Sequence, residues 1–204
     1  MNPSLDATFW NERYGSPDYF YGTAPNDFLA SVAPEIPAGP VLCLAEGEGR
    51  NAIFLASRGH AATAVDQSEA GLAKARALAQ TRGVPLTGVA ADLAEFTIAP
   101  QTWSGIVAIF MHLPPALRCS VLARAAAGLR PGGVFVMEAY RPAQLGYGTG
   151  GPKDVTLLPT LNELRAELGD LDFLIAREIE RDVREGGGHT GPSAVVQVLA
   201  RRPM

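Results

Sequence analysis

The chain has 204 residues, 47% of them apolar or aromatic, which provides for one buried core and excludes a large multidomain assembly. Charged residues make up 19% and the formal net charge is -4, a balance that excludes both an acidic disordered chain and a basic nucleic-acid binder. Cys43 and Cys119 stand in apolar stretches and the amino terminus lacks a basic-then-apolar signal region, so a reduced, cytoplasmic protein is expected. The continuous apolar run Ile106–Met111 is far shorter than the roughly 20 residues of a membrane span. The expected partner is a small-molecule substrate, with no nucleic acid and no membrane, for a monomer or weak homodimer.

In chain order, short apolar runs bounded by Gly, Pro or Asp alternate with stretches of helical period, which predicts an α/β fold. Val41–Ala45 reads as a buried parallel strand, entered from Pro37-Ala38-Gly39-Pro40 and followed by Gly47 and Gly49. A helix over Arg50–Arg58 stops at Gly59, and a strand over Ala62–Val65 ends at Asp66. Ser68 is the natural cap of a helix to Arg82, which Gly83 terminates; Leu86–Ala90 is a third strand, ending near Asp92. Ser104–Phe110 is a fourth strand, before a helix over Pro115–Leu129 that Arg130-Pro131-Gly132-Gly133 breaks. After a fifth strand at Val134–Ala139, the loop Gln144–Pro152 holds four glycines and is a candidate lid. Thr160 and Glu163 have capping-box spacing for a last helix ending at Gly169. Phe173–Glu180 and Ala194–Ala200 are most simply two antiparallel closing strands, with Gly186-Gly187-Gly188 between them.

The strongest chemical signal is Val41-Leu42-Cys43-Leu44-Ala45-Glu46-Gly47-Glu48-Gly49, a strand running into a glycine turn that opens a helix. Glycine lets a ligand approach the backbone, and Asp66 after the second strand is placed to hold ribose hydroxyls. Gly47, Gly49 and Ala52 also satisfy a dinucleotide fingerprint, so the motif alone leaves the nucleotide open. Charge favours one choice. A pyrophosphate would meet the carboxylates of Glu46 and Glu48, whereas S-adenosylmethionine brings an ammonium, a sulfonium and a ribose.

Taken with Phe9-Trp10-Asn11-Glu12-Arg13-Tyr14, Tyr21-Gly22-Thr23-Ala24-Pro25-Asn26, Ala45 to Asn51, Val65-Asp66-Gln67-Ser68, Ala91-Asp92-Leu93, His112-Leu113-Pro114 and Leu129-Arg130-Pro131-Gly132-Gly133, the chain resembles class I S-adenosylmethionine-dependent methyltransferases. Within them it resembles the small tellurite-resistance (TehB-like) group. The resemblance implies a Rossmann-like fold: a seven-stranded, mostly parallel sheet with an antiparallel last strand and helices on both faces. It implies one methyltransferase domain over 1–204, with 1–38 as a cap over the cofactor site and 39–204 as the core. Ala45, Glu46, Gly47 and Gly49 would line the methionine moiety, Asp66 would bind the ribose, Gln67 would flank the adenine, and Asp92 with the Leu93 backbone would hold its amino edge. Phe110 and Tyr21 complete the expected cofactor set. The wider class usually has an acid where Cys43 stands and a glycine where Ala45 stands, and Glu46 is a candidate substitute at the methionine amine.

Methyl transfer from a sulfonium is an in-line displacement that needs a base only when the acceptor carries a proton. His112, after the fourth strand, either faces an acceptor or holds the next helix or a loop carbonyl. His189 either reaches the same cleft or is a solvated loop residue, and His60 is expected at the surface. Tyr140 either lines an acceptor pocket or packs, and Tyr147 is a lid candidate. The candidate catalytic residues are therefore His112, Tyr140 and His189. Trp10, Tyr14 and Tyr21 would close over the cofactor or pack on the sheet. No zinc-site spacing, phosphate loop or nucleophile elbow is present. The expected function is methyl transfer to a small molecule or small oxyanion. The alternatives are a non-catalytic protein that binds S-adenosylmethionine or S-adenosylhomocysteine, and an NAD-binding oxidoreductase.

Overall fold

In the computed structural model, which describes residues 6–204, seven strands form one sheet in the order β3-β2-β1-β4-β5-β7-β6. They are β1 (Pro40–Leu44), β2 (Ala61–Asp66), β3 (Thr87–Ala90), β4 (Trp103–Ile109), β5 (Leu129–Tyr140), β6 (Asp172–Glu185) and β7 (His189–Arg201). The first five pair in parallel, and β7 is antiparallel to both β5 and β6. This is the expected class I methyltransferase architecture.

Alternation along the strands builds two apolar layers. Leu42 and Leu44 of β1 point into a core with α5 (Pro115–Gly128) and α6 (Leu161–Leu168), where Val121, Leu122, Leu164 and Leu168 meet Ile106 and Phe135. Val41 and Cys43 point the other way, onto α2 (Asp27–Val32), α3 (Arg50–Ser57) and α4 (Glu69–Arg82). Helices thus cover both faces. Their ends follow local chemistry: Ser68 accepts the Gly71 N–H at α4, Gly83 at φ 66° stops that helix, and Thr160 with Glu163 forms the capping box of α6.

Three boundaries differ from the sequence reading. Residues 130–133 do not separate α5 from the fifth strand; β5 starts at Leu129, and they form an irregularity between the pairs Trp103/Leu129 and Gly105/Val134. The closing strands are much longer than Phe173–Glu180 and Ala194–Ala200, because they pair as far as Glu185 opposite His189. Residues 186–188 are only the hairpin turn, with Gly186 at φ 58°. The stretch read as an unstructured lid begins with a 3-10 turn over Pro142–Gly146.

Strand order fixes where a ligand fits. β1 lies between β2 and β4, so the connections leaving β1 and β4 part at the carboxyl edge of the sheet and open a crevice between Ala45–Gly49 and Phe110–His112. Among the described residues, no helix is long and apolar enough to cross a membrane.

Candidate active site

The β1–α3 turn has left-handed backbone at Ala45 (φ 50°), Gly47 (φ 60°) and Gly49 (φ 89°). The glycine usual in the wider class at the first of these positions thus has a conformational reason, and Ala45 bears a strain of roughly 1–2 kcal/mol in its place. Glu46 turns one carboxylate oxygen toward the start of α3. Its Oε1 accepts the N–H groups of Asn51 and Ala52, each at 2.8 Å, so it neutralises the first turn of α3. Burial pushes its carboxyl up to about 7, against the pull of these N–H groups and Arg50. Glu48 pairs with Lys74 at 2.8 Å and accepts the Tyr21 N–H at 3.3 Å. Cys43 is fully buried in the core and turned away from the crevice, and burial with Glu46 nearby raises its thiol.

Asp66, at the end of β2, braces the turn from the other side. Its two oxygens accept the Gly47 and Ser68 N–H groups, both at 2.8 Å. Burial raises its carboxyl while those N–H groups oppose the rise. The Ala91 N–H bonds the Asp66 carbonyl at 2.9 Å and brings β3's exit alongside. There Asp92 is exposed and accepts the Ala94 N–H, Leu93 is buried, and Gln67 is half-buried.

Helix α1 (Ala7–Tyr14) lies over this edge. Asn11 accepts from the Ser68 hydroxyl at 2.7 Å and the Ala70 N–H at 3.1 Å, which docks α1 on the start of α4. Tyr14 is buried, and a Cβ at Gly47 would lie 2.6 Å from its hydroxyl oxygen, so glycine there admits the tyrosine. Trp10 stacks on Tyr14 at 5.5 Å, and Tyr21 meets Tyr14 edge-on at 6.4 Å. Residues 1–5 of the expected cap lie outside the described residues.

From Tyr21 a line of rings crosses to β4. Tyr21 is 4.5 Å from His189, His189 is 4.4 Å from Phe110 and 5.2 Å from Tyr140, and His112 lies parallel to Tyr140 at 5.7 Å. The three candidate catalytic residues thus share one cluster. His189 is neither a loop residue nor solvated: it is the first residue of β7 and 6% exposed. His60 is also buried, because the Gly59 turn folds it back so that its N–H bonds the Leu55 carbonyl. Tyr140 is fully buried, whereas Tyr147 lies outside the cluster and interacts with Glu180. His112 holds a loop carbonyl, with Nδ1 3.1 Å from that of Leu157, while Nε2 is buried and has no hydrogen-bond partner among the described residues.

Beside this cluster stands a buried polar network that sequence reasoning missed. Glu138, fully buried in β5, accepts from Asn26, Gln197 and both Nε and a terminal nitrogen of Arg181. Glu185 accepts from Asn26 at 2.7 Å and Arg50 at 2.5 Å, and its carboxylate is 3.6 Å from His189 Nδ1. Burial opposes the Glu185 charge, but His189, Arg50 and Asn26 outweigh it and hold the carboxyl at about 2. Burial lowers His189, with Glu185 pulling the other way. A signal existed in Glu138, the one charged residue in the apolar run Val134–Tyr140.

Comparison with known proteins accords with this geometry. Residues 41–133 match the family model described as a methyltransferase domain. The chain is 40% identical over 78 residues to carboxy-S-adenosyl-L-methionine synthase of Geobacter metallireducens, which is 37% of this chain and spans only 32% of that relative's length. Among solved structures, a protein from work on the conversion of a disulfide bond into a thioacetal group during echinomycin biosynthesis superposes with TM-score 0.77 at 18% identity, covering 98% of this chain and 90% of its own. TehB from Haemophilus influenzae superposes with TM-score 0.69 at 19% identity, covering 96% and 66%. The family match thus runs from β1 to the start of β5, the part of the chain that carries the glycine turn and Asp66.

Two outcomes follow from this geometry. Asp66→Ala weakens S-adenosylhomocysteine binding, read by calorimetry, by roughly 1–3 kcal/mol, the scale of buried polar groups left unpaired; equal affinity removes Asp66 from the site. Glu185 is depressed from 4.5 to about 2, so its stabilising contribution is full above 4.5 and is lost as pH falls toward 2. Urea unfolding of Glu185→Gln against wild type shows the largest deficit near neutrality and a gap that closes over that window; a constant gap contradicts the assignment.

Proposed function

We propose that the whole chain is an S-adenosylmethionine-dependent methyltransferase acting on a small molecule bound against the ring cluster. The observation that carries this reading is the juxtaposition, at one sheet edge, of a left-handed β1–α3 turn braced by Asp66 and a set of buried rings in which His112 Nε2 has no hydrogen-bond partner among the described residues.

The residues fit the methyl donor. The Asp66 carboxylate accepts the backbone N–H groups of Gly47, Ser68 and Gln67, three of its roughly four acceptor sites, which leaves one for a ribose hydroxyl. Asp92 and the Leu93 backbone stand one strand further along for the adenine edge, with Gln67 beside them. Ala45 to Gly49 would line the methionine moiety. Tyr14 and Tyr21, from the 1–38 cap, close this side and exclude water, while Phe110 separates donor from acceptor. When bound, S-adenosylmethionine supplies a methyl group activated by its sulfonium charge. The protein's part is to hold acceptor and donor in line, keep the cleft dry, and receive a proton where the acceptor carries one.

A dinucleotide fits less well, for a reason that sharpens the sequence argument. In dinucleotide enzymes the pyrophosphate sits on the N-terminus of the first helix, and here Glu46 occupies that position. Glu48 contributes little, since Lys74 pairs with it. A purely binding role leaves His112 Nε2 without a task. In parallel calorimetric titrations, S-adenosylmethionine and S-adenosylhomocysteine bind while NAD gives no heat; binding of NAD alone overturns the reading.

A further inference from the structure

The methyl donor argued above carries one negative group, the carboxylate of its amino-acid end, and most cations around the crevice are already engaged by the protein's own acids. Lys74 pairs with Glu48, Arg50 with Glu185 and Arg181 with Glu138. The start of α3, which would otherwise attract an anion, is closed by Glu46. A carboxylate drawn into this space without a cation loses its hydration with no compensating charge.

Arg13 is the exception. It stands in the last turn of α1 and is half-buried, yet it forms an ion pair with no carboxylate among the described residues. Its contacts are aromatic instead: the guanidinium carbon lies 4.8 Å from the ring centroids of both Phe9 and Phe20 and 5.6 Å from that of Trp10. An aromatic face attracts the charge without accepting its N–H groups as a carboxylate would, so these stay available. One of them donates to the Tyr21 hydroxyl oxygen, whose own hydrogen remains to be donated. Together they offer a carboxylate two kinds of donor, one of them charged.

Place matters as much as charge. Phe20 and Tyr21 are pinned to the β6–β7 turn: the Gly187 N–H bonds the Phe20 carbonyl at 3.0 Å, and a side chain on Gly186 or Gly188 would strike the two residues. The three consecutive glycines thus let the cap settle on the hairpin. From the other side, Glu48 of the glycine turn accepts the Tyr21 N–H at 3.3 Å, and Tyr14 packs over Gly47. Tyr21 also lies 4.5 Å from His189, and the Arg13 charge acts on Tyr14, Tyr21 and His189 alike. Arg13 therefore belongs to the junction of cap, glycine turn and hairpin. The carboxyl end of α1 also favours a cation here, an effect on the helix that is the same whichever ligand is bound.

We propose that Arg13, together with the Tyr21 hydroxyl, is the receptor for a carboxylate of a bound ligand. The inference rests on the methyltransferase reading above. Two ligands can bring that group: the donor, through its amino-acid end beside Tyr14 and Tyr21, and an acceptor that is itself a carboxylic acid. In either case the cap does more than exclude water, because it supplies the positive charge that the crevice walls lack.

The test is calorimetry on the full chain with three probes: S-adenosylhomocysteine, decarboxylated S-adenosylhomocysteine, and benzoate added to protein saturated with S-adenosylhomocysteine. Arg13→Gln is expected to weaken S-adenosylhomocysteine by about tenfold or more, the scale of a hydrogen bond to a charged group, and to leave the decarboxylated analogue within about twofold of wild type. Tyr21→Phe, which removes only the hydroxyl, is expected to act in the same direction with a smaller change, and Arg13→Lys to recover part of the affinity. This pattern assigns the receptor to the donor's carboxylate. Unchanged S-adenosylhomocysteine affinity, with benzoate bound by wild type and lost in Arg13→Gln, assigns it to the acceptor's. Equal weakening of both adenosyl ligands shows that Arg13 only steadies the cap, and that result, or no change with any of the three probes, overturns the inference while the methyltransferase reading stands. If wild type does not bind S-adenosylhomocysteine at all, both readings fall.

Discussion

Two buried carboxylates that brace the β1–α3 turn, Glu46 within it and Asp66 at the end of β2, are the constraint from which the site follows. Ala45, Gly47 and Gly49 need left-handed backbone, a conformation that leaves N–H groups facing inward and unpaired unless something accepts them. Glu46 takes the N–H groups at the start of α3, and Asp66 takes that of Gly47. The turn is thereby held open before any ligand arrives, and the N-terminus of α3 is closed to a phosphate. The absence of a side chain at Gly47 admits Tyr14, and through it the amino-terminal segment is positioned over the crevice. Local backbone geometry, choice of ligand and placement of the cap are one problem with one solution.

A second set of interactions determines what the crevice presents on its far side. Asn26 precedes α2, Arg50 begins α3, Glu138 lies in β5, and Arg181 and Glu185 lie in β6, yet all meet in one buried network. Breaking such a network by removing one partner leaves a charge buried and unpaired, which is far more costly than the pair is stabilising. Its structural consequence is to tie the cap, the sheet and the β6–β7 hairpin together. Its chemical consequence is a charge-balanced flank beside His189 and Tyr140, with His189 itself set against the Glu185 carboxylate.

Much of this was legible in the sequence because it depends on neighbours along the chain. The parallel strands announce themselves as apolar runs, α4 by Ser68 and Gly83, α6 by its capping box, and the glycine turn by its place between strand and helix. The long closing hairpin was hidden because Arg177, Glu178, Glu180, Arg181 and Asp182 break the apolar signal of an edge strand whose outer face meets water. Once β6 and β7 are extended to Glu185 and His189, the histidine leaves solvent for the ring cluster. Glu138 could be flagged as an isolated charge in an apolar strand, but its partners come from segments far apart in sequence and no local pattern names them. The bonds of Glu46 were hidden for a related reason: proximity to the turn was visible, whereas the direction of its carboxylate is set by the N–H groups of α3.

The most direct test of the account is a crystal structure of the full chain with S-adenosylhomocysteine. The account predicts the ribose hydroxyls on Asp66, the amino-acid end along Ala45–Gly49, and the sulfur turned toward Phe110 with His112 and Tyr140 beyond it. A ligand bound elsewhere, or one whose sulfur faces away from the ring cluster, would contradict it.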